Sequence, residues 1–209
     1  MPVTRRTLTL ALAASALAPA ALAAAAPLSP ADKALVDRAV AYLQGLDEAK
    51  ARFTQTDGSG RETAGTVWLK RPGKARFEYD PPSGLVVVSD GAAVTVADNR
   101  LRTFTRYPLG ATPLSLFLAR TIRLDRGVAV TAVDRNADGF TIVARDGHGK
   151  TAGRLALDFA EPPLRLTGWT VIDAQGRTTR VRLQGLARVS GLDAALFAPK
   201  KPVPSERPL

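Results

Sequence analysis

The side chains best suited to catalysis are scarce in this sequence and form no pattern typical of an enzyme. The 209 residues include no cysteine and a single histidine, His148, which leaves little room for thiol, triad or metal chemistry. The carboxylates stand mostly at predicted turns, as at Asp90, Asp134, Asp146 and Asp173, where turn geometry alone favours aspartate. No G-x-S-x-G, H-E-x-x-H or phosphate-binding loop occurs. We therefore expect no enzymatic activity, no metal site and no cofactor.

One cation has an unusual position, because Arg71 ends a predicted strand over residues 63–71. Side chains alternate along a strand, so Arg71 shares a face with Val67 and Leu69. A guanidinium that faces an apolar interior is costly unless its donors are satisfied, and its five planar donors suit the free carbonyl groups of a helix end or loop. Alternatively, the apolar stem packs inside while the charged head reaches the rim. The residues alone leave both interpretations open.

The first 26 residues have the pattern of a secretory signal peptide. Two arginines, Arg5 and Arg6, precede an apolar run over residues 8 to about 18, and small residues at 21–23 offer a cleavage site. The same arginines also fit a twin-arginine signal, so the export route stays open. Because the chain has no cysteine for a lipid anchor, we predict a monomeric, unanchored protein of the periplasm.

The remainder of the chain has the length of one domain, which we place at residues 27–199. Residues 200–209 are basic and rich in proline, and we expect a loose tail there. The formal net charge of the whole chain is +10. Such a charge suits an anionic membrane or an acidic protein, or serves solubility alone, whereas export argues against nucleic acid.

The periodicity predicts one long helix followed by many strands. Ser29 fits an N-cap, Pro30 fits the first helical position, and Gly45 can end the helix. From residue 49 the period changes to two, and short turns such as Asp90-Gly91 predict antiparallel neighbours in meander order. A short apolar helix is expected at 113–120. The strands are expected near residues 49–54, 63–71, 74–79, 85–88, 92–97, 101–106, 127–133, 139–145, 151–159, 164–172 and 177–186.

This pattern predicts a mainly β fold. About eleven consecutive antiparallel strands make either a large curled sheet or an open, incomplete barrel. Two helices are too few for a second layer, so we expect them to form a small lid or plug on one open face.

Four segments carry further information through their residues, order and spacing. They are 51–55 (ARFTQ), 65–72 (GTVWLKRP), 85–91 (LVVVSDG) and 112–120 (TPLSLFLAR). Following a signal peptide and on a β-rich background, they make the chain resemble the periplasmic outer-membrane lipoprotein carriers of the LolA type. The resemblance extends over nearly all of residues 30–199.

The resemblance implies an open barrel of eleven strands with a small helical lid over an apolar cavity. It also implies a carrier that shields the acyl chains of lipoproteins in this cavity on their way to the outer membrane. The implied partners are acylated lipoproteins, an inner-membrane ABC transporter of the LolCDE type and an outer-membrane receptor of the LolB type. The resemblance also implies that Arg71 latches the lid by hydrogen bonds to its backbone. The residues expected to line the lipid cavity are Val67, Leu69, Phe77, Tyr79, Leu85, Val87, Leu114 and Phe117.

Two questions stay open after the resemblance is taken into account. The same fold could carry or sense another lipid or a glycolipid, because a fold does not fix its ligand. Basic residues near the predicted mouth either steer docking to an acidic face of the transporter or form a solvated strand edge. These residues are Lys70, Arg71, Lys74 and Arg76.

Overall fold

A computed structural model describes residues 28–112, 114–123, 128–146, 153–173 and 175–200 of the chain. The predicted signal peptide and the tail beyond residue 200 lie outside the described residues. So do His148 and part of the predicted turn around it. No helix among the described residues has the length and apolar character needed to cross a membrane.

An eleven-stranded antiparallel sheet dominates the described structure, which confirms the predicted fold class. Most strand ends fall within three residues of their predicted positions. The strands are β1 (Glu48–Thr56), β2 (Glu62–Lys70), β3 (Lys74–Tyr79), β4 (Leu85–Asp90), β5 (Ala93–Asp98), β6 (Thr103–Pro108), β7 (Val128–Asn136), β8 (Gly139–Asp146), β9 (Arg154–Ala160), β10 (Arg165–Ile172) and β11 (Thr178–Arg188).

The predicted meander is wrong at one step, between β6 and β7. The strands are ordered β6-β5-β4-β3-β2-β1-β11-β10-β9-β8-β7, so β6 and β7 form the two edges of the described sheet. Instead, β1 pairs with β11, for example Phe53 with Leu183. Short turns join the strands within each half, whereas a segment of about twenty residues separates β6 from β7, too long for a tight hairpin. The sheet is therefore open between its edges.

One long helix, α1 (Pro30–Gln44), packs on the concave face of the sheet. The predicted cap is confirmed, because the backbone N–H of Asp32 donates to Ser29 Oγ at 3.1 Å and Pro30 occupies the first turn. Val36, Ala39 and Leu43 recur at helical spacing and are buried against the strands.

The second helix is shorter than predicted. Helix α2 spans only Leu114–Phe117, after a 3₁₀ turn at Leu109–Ala111. The apolar composition of residues 113–120 suggested a longer helix, but Arg71 and Gly73 engage the carbonyl groups just after Phe117, and the chain leaves helical conformation there.

A further element, absent from the sequence prediction, covers part of the convex face. The 3₁₀ turn Ala194–Phe197 packs on β3 and β4, and Phe197 is buried there. Arg76 Nη1 donates to the carbonyl of Leu196 at 3.4 Å. This turn explains why Val88 is buried although it points away from the main core.

Candidate functional site

Arg71 lies just beyond the end of β2, not within the strand as predicted. Its backbone N–H donates to the carbonyl of Asp47 at 2.7 Å, and the following Pro72 cannot continue the ladder with β3 because it has no N–H. The half-buried side chain still points to the same end of the concave face as Leu69, which is buried. The predicted strand therefore ends one residue too late, and the role of Arg71 as a latch stays a prediction.

The Arg71 guanidinium joins two separate parts of the chain through backbone carbonyls. Nη1 donates to the carbonyl of Leu43 at 2.5 Å, near the end of α1. Nε and Nη2 donate to the carbonyl of Ala119 at 3.3 and 2.8 Å, and Nη2 also to that of Arg120 at 3.2 Å. The sequence left two arrangements open for Arg71. The structure shows the one in which backbone carbonyls accept hydrogen bonds from its guanidinium. Leu43 as a partner was not expected.

Gln44 and Gly73 hold the same segment. Gln44 Nε2 donates to the carbonyl of Arg120 at 2.8 Å, and the Ile122 N–H donates to Gln44 Oε1 at 2.9 Å. The Gly73 N–H donates to the carbonyl of Leu118 at 2.8 Å. We refer to the hydrogen bonds from Gln44, Arg71 and Gly73 to residues 118–122 as the clasp. Sequence reasoning missed Gln44, whose only signal is its place at the end of α1.

The clasp is insensitive to pH over the physiological range. Burial lowers the pKa of Arg71, and the negative charge of Asp47 partly opposes this effect. An arginine pKa starts so high that the guanidinium stays protonated in a protein. The clasp can therefore open by competition or movement but not by loss of the proton.

The predicted cavity residues lie mostly on the concave face, and they fall into two groups. Val67, Leu69 and Phe77 are buried in the main core. Tyr79, Val87, Leu114 and Phe117 are partly buried and pack against that core.

Leu85 differs from the other cavity candidates. It is half-buried and lies beyond the core at the opposite end of the sheet from Arg71. There Leu85 and Tyr79 line a cavity of about 800 Å³ among the turns that follow β1, β3 and β5.

Aromatic rings form a continuous row along the concave face. The ring of Phe53 lies edge-on to those of Tyr79 and Phe77, with centroid distances of 5.0 and 5.7 Å. The Phe77 ring lies 6.2 Å from that of Trp169, which in turn lies 6.1 Å from that of Phe117 in α2. Helix α2 thus rests on the row. Trp169 was not among the predicted cavity residues, although its strand alternation would have placed it there.

Trp68 points to the opposite face. Its ring lies under Lys50, whose Nζ is 5.5 Å from the ring centroid. Both residues are partners across β1 and β2. A charge over the face of an aromatic ring is a favourable arrangement at an exposed site.

The chemistry that this site supports is apolar binding closed by polar backbone contacts. Within the described ranges, no group of three or more His, Asp or Glu side chains is arranged to hold a metal ion. The concave face offers rings and aliphatic groups, and α2 covers part of it while the clasp holds the segment that follows α2.

Comparison with known proteins places these features in context. The family model described as outer membrane lipoprotein carrier protein LolA matches residues 44–200. The outer-membrane lipoprotein carrier protein of Pseudomonas paraeruginosa is 35% identical over 175 residues, which cover 79% of this chain and 83% of that protein. The carrier protein of Azotobacter vinelandii is 29% identical over 186 residues, covering 84% and 89% respectively.

A solved structure supports the fold alone. A DUF1329 family protein from Desulfovibrio piger superimposes with a TM-score of 0.51 at 11% sequence identity. The match covers 80% of this chain and 96% of that chain.

Proposed function

We propose, from the premise that this chain belongs to the LolA family of outer membrane lipoprotein carrier proteins, that it binds the acyl chains of lipoproteins in the periplasm and delivers them to the outer membrane. One observation carries this proposal: an apolar concave face is covered by a one-turn helix whose following segment is held by the clasp. In this proposal α2 and residues 118–122 are the lid, and Arg71 is its latch.

The part of the concave face under α2 suits acyl chains because its side chains are aromatic rings and aliphatic groups. In the closed form, Phe117 of α2 lies against the Trp169 ring, which in turn lies against Phe77, so moving α2 would expose the Trp169 ring. An acyl chain could then take the contacts that Phe117 makes in the closed form.

A latched lid also solves an energetic problem of carriers. A triacylated anchor has several dozen methylene groups, so full burial would be worth on the order of 30 kcal/mol at about 0.8 kcal/mol each. Non-covalent binding saturates near roughly 18–21 kcal/mol, and a carrier must release its cargo. Breaking the clasp when lipid enters offsets part of the gain, because the closed state is favoured by contacts that the loaded state lacks.

The partners follow from the same role. We propose that an inner-membrane ABC transporter of the LolCDE type loads the protein and that an acceptor of the LolB type at the outer membrane receives the cargo. The open side of the sheet, between β6 and β7, is the expected route for the lipid, because these two strands are its edges.

The test is to identify what the protein carries. Wild type, Arg71→Leu and the control Arg52→Leu would be purified from the periplasmic fraction and their bound material analysed by mass spectrometry. Arg52 is a suitable control because it pairs with Asp80 on the convex side, away from the clasp. We expect acylated lipoproteins on all three, enriched on Arg71→Leu because release is impaired.

Each other result has a distinct meaning. Free phospholipid or glycolipid without lipoprotein would contradict the carrier proposal and leave a carrier of another lipid. Equal loading of the three proteins, with equal delivery to outer-membrane vesicles, would contradict the latch.

A further inference from the structure

The cations on the two halves of the sheet differ in their partners. On the strands β2 to β6, the charged side chains that point outward are largely neutralised: Lys70 pairs with Glu48 at 2.8 Å, Arg76 with Glu78 at 2.8 Å, and Arg106 with Asp90 at 2.8 Å. Two of the four basic residues that the sequence suggested as a docking surface, Lys70 and Arg76, are therefore already paired. The unpaired cations of this half, Lys74, Arg100 and Arg102, lie at the start of β3 and in the turn after β5.

A cluster of unpaired cations on neighbouring strands lies on the convex face of β8 to β11. Arg145, Arg154, Arg180 and Arg182 are all exposed there, and we call these four residues the arginine face. Within the part of the chain that the structure describes, none of the four makes an ion pair or a side-chain hydrogen bond. A fifth exposed arginine, Arg165, begins β10 on the same side.

Strand register fixes the direction of these side chains. Val181, between Arg180 and Arg182, is buried on the concave side, so its two neighbours must point outward. Likewise, Ala144 and Leu157 are buried, so Arg145 and Arg154 point away from the core.

The arrangement costs stability instead of adding to it. Arg145 and Arg154 are direct partners across β8 and β9, and like charges placed opposite each other are unfavourable. The one acid at a convex strand position among the described residues of β8 to β11 is Asp158. It is half-buried and accepts a hydrogen bond from Thr141 Oγ1 at 2.7 Å. An unneutralised cluster of this kind fits a ligand that supplies the negative charge.

We propose that the arginine face docks the protein on an anionic phospholipid surface. The convex positions between the arginines carry mostly small residues, such as Thr170, Ala156 and Gly168, together with the half-buried aliphatic residues Val143 and Ile172. The large exposed hydrophobic residues of the described chain are Leu101 and Tyr107, on the other half of the sheet.

Protein interfaces are usually anchored by aromatic residues or exposed large apolar groups. The described convex positions between these arginines have no aromatic residue, and the aliphatic side chains there are already half-buried. A layer of lipid phosphates needs no such anchor. It offers many oxygens in one plane, and a guanidinium can bind each phosphate through two hydrogen bonds. The face therefore suits a lipid surface better than an acidic protein.

The expected binding to the lipid surface is weak enough to be reversible, as the proposed movement between two membranes requires. A basic side chain near an anionic surface strengthens binding by about fivefold. Four such residues together contribute on the order of several hundred-fold, and salt weakens the attraction because it screens exposed charges.

The experiment is vesicle co-sedimentation with empty protein purified from the periplasmic fraction. Vesicles of phosphatidylcholine alone are compared with vesicles that also contain phosphatidylglycerol, at low and high salt. The test variant is Arg145→Gln/Arg154→Gln/Arg180→Gln/Arg182→Gln. The matched control removes four cations that lie outside the face and the clasp and have no ion pair in the described structure: Lys74→Gln/Arg100→Gln/Arg102→Asn/Lys200→Gln.

We expect the wild type and the control to sediment with the anionic vesicles at low salt only, and the partition coefficient of the test variant to fall at least a hundredfold. Circular dichroism and thermal unfolding check that the variants fold, and the salt dependence of the wild type tests the proposal without any variant. Equal binding of test variant and wild type, or equal binding of the wild type to neutral vesicles, would overturn the proposal.

Absence of wild-type binding to anionic vesicles would overturn it as well. If the periplasmic part of the inner-membrane transporter then retained the wild type but not the test variant, the partner of the arginine face would be an acidic protein and not a lipid surface. Because no cargo is present, these results are independent of whether the protein carries lipoproteins.

Discussion

Replacing Arg71 by leucine should open the clasp locally while the sheet stays folded. The substitution removes four hydrogen bonds to the carbonyls of Leu43, Ala119 and Arg120. It leaves the bonds from Gln44 and Gly73 to the same segment in place. The segment can therefore still close, but a larger fraction of the molecules has it open.

The magnitude follows from the environment of the arginine. A hydrogen bond to a charged group contributes about 1.5–3 kcal/mol, but the four bonds are not additive, because water reaches the freed carbonyls and the guanidinium no longer has to be desolvated. We therefore expect the four hydrogen bonds together to stabilise the closed segment by about as much as one such bond, about 1.5–3 kcal/mol. This corresponds to about a 10- to 150-fold shift in the equilibrium between closed and open segments.

Amide hydrogen exchange measures this equilibrium directly. The N–H groups of Gly73 and Ile122 donate across the clasp, so both exchange when it opens. In Arg71→Leu their protection should fall by the same factor of about 10 to 150, whereas amides of β1 and β2 keep theirs. Arg52→Leu should leave all of these rates unchanged.

Two results would refute the reasoning. Unchanged protection of Gly73 and Ile122 would mean that Arg71 does not hold the segment. A uniform loss across β1 and β2 would mean that the arginine supports the whole fold and not a local closure.

Three further predictions test the interior. Gly65→Ala should lower the free energy of unfolding by about 1–3 kcal/mol in urea, because the added Cβ would lie 2.3 Å from the carbonyl of Glu78; an unchanged midpoint contradicts this packing. Burial raises the pKa of Tyr79 to about 12, whereas the pKa in the unfolded chain is about 10. The free energy of unfolding should therefore fall as pH rises from about 10 through 12, and Tyr79→Phe should reduce that fall. An equal fall in both proteins contradicts the raised pKa of Tyr79. With Trp68 replaced by phenylalanine, the fluorescence of Trp169 should shift when an acylated peptide is added, because α2 leaves its ring; a constant spectrum contradicts the lid.

Much of the architecture follows from local sequence signals. The Ser29-Pro30 start of α1 is set by capping, and strand alternation places Phe53, Val67 and Phe77 on one face without reference to any distant residue. The same alternation brings Arg71 to the concave side. These features were predictable because each depends on neighbours in the chain.

The features that escaped prediction depend on distant pairing. The turn between β1 and β2 predicts their pairing, which uses one edge of β1. No local signal indicates that β11, far away in the chain, pairs with the other edge. The convex layer formed by Ala194–Phe197 depends on where the chain returns after β11. Leu43 contributes only a backbone carbonyl to the contacts of Arg71. Any residue would provide this carbonyl, so the residue type at position 43 could not predict the contact.

The clasp also sets how tightly the proposed cavity can bind. If the closed form is favoured over the open form, the apparent affinity for lipid falls by the fraction of molecules that are open. Because Arg71 keeps its charge at every physiological pH, that fraction is governed by competition between lipid and the contacts of Phe117 and residues 118–122. A stronger clasp would release cargo readily but load it poorly, and a weaker one would retain it. In the proposed function an intermediate strength serves both steps, and the hydrogen bonds that Gln44, Arg71 and Gly73 make with residues 118–122 determine that strength.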